Sequence, residues 1–143
     1  MYVRNTSTHP TPLVKSLVKW ATSEIDMRKV CVNVKGSKSA FAGMAYDGVP
    51  TISNAPPSSD YLITVRIGTA DRFPFEQHRY PGKSDRFPTY DLRDWREALV
   101  YVSAHEACHI EQYRERLRRS ELRCEHYAVG VLEAFRTMLE MAH

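Results

Sequence analysis

At 143 residues, with 43% hydrophobic and 26% charged residues, the chain has the size and composition of one soluble globular domain. No apolar run is long enough to span a bilayer, and the first ten residues lack the apolar core of a secretory signal. A cytoplasmic protein with no membrane partner is therefore expected. A net charge of +3, with the arginines interleaved by acids, argues against nucleic acid as the partner, and three scattered cysteines, Cys31, Cys108 and Cys124, argue against a disulfide framework.

In chain order, Thr11-Pro12 reads as a helix start, with threonine as the cap and proline in the first turn. Leu13, Leu17, Trp20, Ala21 and Ile25 then form a stripe of helical period, predicting a helix from Thr11 to Met27. From Lys29 the period changes to two. Val30, Val32 and Val34 alternate with Cys31, Asn33 and Lys35, as in a half-buried strand. Gly36-Ser37-Lys38-Ser39 reads as a turn, so Ala40 to Tyr46 is expected to return as the second strand of a hairpin.

Asp47 to Asp60 is rich in proline, glycine, serine and asparagine and reads as loop. Tyr61 to Gly68 has the strongest strand character, with Tyr61, Ile63, Val65 and Ile67 on one face. Thr69 to Leu92 reads as a long aromatic connection containing Asp-Arg-Phe-Pro twice, at 71–74 and 85–88. Two copies of a tetrapeptide do not make a repeat architecture.

A helix starting near Asp91 or Asp94 then carries Trp95, Leu99, Val102, His105, Glu106, His109 and Tyr113 along one broad stripe. A turn is expected over Leu117 to Ser120, with Ser120 capping a last helix from Glu121 to the end. The arginines around this turn alternate with Glu111, Glu115, Glu121 and Glu125, the pattern of a solvated face laced with ion pairs.

His105-Glu106-Ala107-Cys108-His109 is the H-E-x-x-H pattern. Residues four apart lie on one helix face, so both imidazoles can grip one Zn²⁺, and Glu106 lies within reach of a metal-bound water as general base. Cys108 points about 100° away from His109 and is expected to be an inert thiol. A catalytic zinc needs a third protein ligand. The metzincin continuation is absent, because Gln112 and Glu115 stand where that family has glycine and histidine. The last helix offers Glu121 and Glu125, with His126 as a further option.

Glu121-Leu122-Arg123-Cys124-Glu125-His126-Tyr127-Ala128 resembles the E-x-x-A-D/N-x-x-A segment of gluzincin metallopeptidases, particularly the small soluble ones. It departs from that pattern at Cys124, where alanine is usual, and at Glu125, where aspartate or asparagine is usual. The resemblance implies an α+β, zincin-like domain over residues 1–143: an N-terminal helix, a small, mostly antiparallel sheet, then the motif helix and a returning helix. It implies Glu121 as third zinc ligand, with Glu125 buttressing a ligand histidine or serving as the alternative ligand. It also implies Tyr61 to Gly68 as the edge strand that pairs with extended peptide.

The expected activity is hydrolysis of a peptide or protein by a zinc-activated water, with Glu106 as base. Tyr127, His126, Tyr113 and His78 are candidate oxyanion donors. The rival readings are a zinc hydrolase of a non-peptide amide and a catalytically silent, zinc-stabilised binding module.

Overall fold

The computed structural model describes residues 1–38, 41–50, 54–68, 73–79 and 85–142. Ala40, where the second strand was expected to begin, and the first two residues of the Asp-Arg-Phe-Pro copy at 71–74 lie outside them. The described chain is α+β, as expected. Its elements are β1 (Tyr2–Asn5), α1 (Thr11–Ala21), β2 (Val30–Gly36), β3 (Ala42–Asp47), β4 (Tyr61–Ile67), β5 (Phe75–His78), β6 (Tyr90–Leu92), α2 (Trp95–Arg114) and α3 (Glu121–Met141).

The helix over Thr11 forms but stops at Ala21 rather than Met27. Pro10 occupies the cap position, and the Thr22 hydroxyl bonds back to the Val18 carbonyl at 2.8 Å. A hydroxyl that competes for backbone in this way favours ends over interiors. Ile25 and Met27 are still buried, reaching the core from the connection that follows.

The main sheet runs β1-β2-β4-β3, with β1-β2 and β2-β4 parallel and β3-β4 antiparallel. The expected hairpin between β2 and β3 is therefore replaced: β4 inserts between them. The cause is visible in β4 itself, where Leu62, Ile63, Val65 and Ile67 are buried from both faces. Such a strand belongs in the middle. β3, built of Ala42, Gly43, Met44 and Ala45, is left at the edge. The sheet is thus mixed, with β1-α1-β2 forming a parallel crossover. The aromatic connection is not all loop, because β5 and β6 pair antiparallel within it.

The inward faces expected for β2 and β4 hold, but β2 is not half-buried, because Cys31 and Asn33 on its other face are buried as well. Val30, Val32, Val34, Ile63, Val65 and Ile67 join the core under α1 and α2, and Tyr61 packs against it. α2 is buried on almost every side from Glu97 to Ile110, sandwiched between the sheet, α1 and α3. Among the described residues, no helix is long and apolar enough to cross a membrane.

Candidate metal centre

α2 begins where Asp94 accepts hydrogen bonds from the backbone N–H groups of Arg96 and Glu97, a strong helix cap. Glu97, buried at 4% exposure, accepts from the Arg93 backbone and from Arg136 of α3 at 2.8 and 2.9 Å. A paired, hydrogen-bonded carboxylate of this kind locks the two helices at the end remote from the motif.

At the near end α2 closes without glycine or proline. Arg116 takes a left-handed φ of 55°, its N–H bonds to the Tyr113 carbonyl at 3.2 Å, and the Leu117 N–H bonds to the Gln112 carbonyl at 2.8 Å. This is the paired Schellman closure, with arginine where glycine is usual. Ser120 then caps α3 by accepting from the Arg123 N–H at 3.1 Å. The chain reverses within six residues, as the short interval between His109 and Glu121 requires.

The turn brings Glu121 onto both motif histidines. One carboxylate oxygen lies 3.0 Å from His105 Nε2 and the other 2.9 Å from His109 Nε2. The two rings sit 5.0 Å apart, edge to face. Glu106, 6% exposed, has an oxygen 3.9 Å from His105 Nε2. Glu125 is behind the His105 ring, 3.8 Å from Nδ1, on the opposite side from Glu121. Ala128 is fully buried between the helices, as its small size allows.

The proton inventory of His109 can be worked out from its neighbours. The Ser120 N–H donates to Gln112 Oε1 at 3.3 Å, and Gln112 Nε2 donates to the Ser120 carbonyl at 3.4 Å, which fixes the amide orientation. Gln112 Oε1 is also 2.9 Å from His109 Nδ1, so that nitrogen carries the proton. The Cys124 thiol lies 3.5 Å from the same nitrogen.

In the neutral ring, Nε2 is then a lone pair facing a carboxylate oxygen. Although the two atoms are at hydrogen-bond distance, Nε2 is buried and makes no properly aligned hydrogen bond. Two acceptors held this close repel each other, and a second ring proton or a cation between them would relieve the repulsion.

The ionisation behaviour reflects the same crowding. Burial alone would raise the Glu121 carboxyl, but the two histidine rings held against it outweigh that effect and keep it far below the usual range. Burial would lower His109, yet Glu121 and Gln112 raise it. Glu106 is raised chiefly by burial, and burial pushes Glu125 up to about 7.

His105, His109 and Glu121 could hold a metal ion: one ligand atom from each lies within 4.8 Å of the others. Two imidazole nitrogens and a carboxylate oxygen are a donor set suited to zinc, whose bonds to such atoms are about 2.0–2.2 Å. All three cysteines are buried free thiols, and among the described residues none belongs to this group.

The candidate oxyanion donors are dispersed. His126 bonds to the Arg86 carbonyl at 3.1 Å, and His78 packs among Phe41, Phe75 and Tyr90. The Tyr127 hydroxyl is buried, with no hydrogen-bond partner among the described residues. Tyr113 alone reaches the metal group's surroundings: it donates to the Ala45 carbonyl of β3 at 3.3 Å and receives a hydrogen bond from Arg119. Arg119 also lies 3.2 Å from Glu121.

Sequence reasoning missed Arg119 and Gln112. Only Gln112 left a signal, three residues beyond His109 on the same helix face. The strand beside the site also differs from expectation. β4 lies in the sheet interior, and β3 is the edge, with Gly43 packed directly against Glu106 and Val102.

Comparison of the chain with protein-family models, with curated proteins and with solved structures finds no match.

Proposed function

We propose that this chain is a zinc-dependent metallopeptidase of gluzincin type that hydrolyses a peptide or protein substrate. The observation that carries the proposal is the Glu121 carboxylate bridging His105 and His109 at 3.0 and 2.9 Å, with Glu106 buried beside them. His105, His109 and Glu121 are the ligands in this reading. Bound there, zinc would supply Lewis acidity, polarising a scissile carbonyl and making water more acidic.

Glu106 would act as general base. Burial raises its carboxyl above the usual carboxylate range, which makes it a stronger base toward water and a donor to the leaving amine. Glu125 faces the far nitrogen of His105, which favours a buttressing role over ligation, because an acid there fixes the ring's tautomer and raises its basicity. Gln112 would do the same for His109. Tyr113 and Arg119 are the donors best situated to steady a developing oxyanion. The β3 edge beside Glu106 would pair with extended substrate, which favours a peptide over a small amide.

The test is hydrolysis of an extended-peptide library by zinc-loaded protein and by its Glu106→Gln variant. Loss of turnover with zinc retained is expected. Undiminished cleavage by the variant would refute the assignment of the base. Cleavage of small amides but no peptide would indicate the non-peptide hydrolase. Zinc binding without turnover by the parent protein would indicate the silent binding module.

A further inference from the structure

The sheet has a second face that no helix covers. On it lies an open concavity of about 750 Å³, to which all four strands of the main sheet contribute. Arg4, Lys35 and Arg66 reach it from β1, β2 and β4, and among the described residues no acidic side chain lines it. Lys35 and Arg66 are direct cross-strand partners, and Arg4 stands opposite Asn33 on the neighbouring pair.

Like charges placed directly opposite each other destabilise a sheet. Among the described residues, none of the three cations has an ion pair. By contrast, Arg114, Arg119 and Arg123 of the helical face are engaged with Asp26, Glu121 and Glu111. Three unneutralised cations therefore gather on the sheet, while three of the arginines around the helical turn are held in ion pairs.

We infer that this open sheet face binds single-stranded nucleic acid, with Arg4, Lys35 and Arg66 on successive phosphates. Their backbone positions span two interstrand steps, roughly 10 Å at about 4.8 Å each. A basic track that crosses three strands, with an exposed ring at its end, suits an extended polymer. Tyr46, 39% exposed at the β3 end of the concavity, offers a ring face for a base, and Asn33 and Thr64 supply polar contacts between the charges. Aromatic platforms flanked by cations on a sheet are how unpaired strands are held without sequence preference. The face is the reverse of the one that carries Glu106, so the inference does not depend on the metallopeptidase reading.

The test is fluorescence anisotropy of a short labelled oligo(dT) with the full chain, between about 20 and 200 mM salt. Each phosphate contact on a single strand contributes a log–log salt slope of about −0.7, so three predict about −2. Arg4→Gln, Lys35→Gln and Arg66→Gln should each weaken binding and flatten the slope by about 0.7. Tyr46→Ala should weaken it about tenfold with the slope unchanged. These side chains lie outside the core, and circular dichroism will verify that each variant is folded.

Arg118→Gln, an exposed cation of the helical turn, should leave binding unchanged. Equal losses from Arg118→Gln and from the sheet variants would overturn the assignment to this face. Competition by polyglutamate as effective as that by oligo(dT) would point to an acidic polypeptide and overturn the ligand. Competition by ATP equal to that by the oligomer would reduce the site to a nucleotide pocket and overturn the polymer. No salt-dependent binding at all would refute the inference outright.

Discussion

Replacing Gly43 by alanine tests the contact on which the candidate site rests. Gly43 pairs with Val65 on the core side of β3, and a methyl group built there would lie 2.4 Å from Val102 Cγ1. It would also lie 3.0 Å from Glu106 Cγ and 3.1 Å from its Oε1. The first distance is impossible without movement. A helical valine has essentially one favourable rotamer, so β3 must back away from α2. Overpacking of this kind costs about 1–3 kcal/mol. Displacing a catalytic carboxylate by about 1 Å can cost on the order of 10²-fold in turnover.

The two effects separate in a double-mutant cycle. Val102→Ala alone removes two methyl groups from a side chain only 4% exposed, worth about 2 kcal/mol. In the Gly43→Ala/Val102→Ala protein the introduced methyl occupies the space that Val102 vacates. The combined cost should then fall short of the sum by about 1–2 kcal/mol, read from urea denaturation of the four proteins. Turnover should not recover in step, because the contacts with Glu106 at 3.0 and 3.1 Å remain. Costs that add to within about 0.5 kcal/mol would show that Gly43 and Val102 do not meet. Full recovery of kcat along with stability would show that β3 does not set the position of Glu106.

Arg116→Gly should stabilise the protein by about 1 kcal/mol in the same denaturation assay, since the left-handed φ of 55° is strained for arginine and free for glycine. Gln112→Leu deprives His109 Nδ1 of its acceptor, and zinc affinity measured against a competing chelator should fall about 10–100-fold. Stability of the metal-free protein should decline between about pH 5 and 8. Burial raises Glu125 from 4.5 to about 7, so the folded state keeps a proton that the unfolded chain has lost. The raised His109 likewise contributes stability that is complete below 6.5 and lost as pH climbs through its folded value. Zinc reverses the sign, because its ligands bind it deprotonated, so urea midpoints with and without chelator should trend oppositely with pH. Parallel trends would contradict the ligand assignment.

The elements that govern themselves locally were legible in the chain. His105, Glu106 and His109 needed only a helix, and Ser120 and Glu121 needed only a cap and the turn before it. Val30-Val32-Val34 and Ile63-Val65-Ile67 declare their inward face by alternation. Alternation does not name a partner, however, and that is why β2 and β3 were joined in a hairpin that does not form. The deciding fact was on the other face of β4, where Leu62 is buried as well as Ile63, so that β4 takes the centre and small-residue β3 the edge. This exchange leaves Ala42–Asp47, and not Tyr61–Gly68, at the sheet edge beside Glu106. It also explains why Gly43 looked like an ordinary strand residue.

The sheet cations show the same limit more sharply. A basic residue at alternate strand positions reads, along one strand, as a solvated side chain. Arg4 lies in a strand the sequence did not disclose, and Lys35 and Arg66 are far apart in the chain. Only the parallel register of β1, β2 and β4 makes them one surface. The arginine-dense turn was the conspicuous basic segment, yet Arg114, Arg119 and Arg123 are held by Asp26, Glu121 and Glu111, whereas the dispersed cations of the open face have no such partners among the described residues.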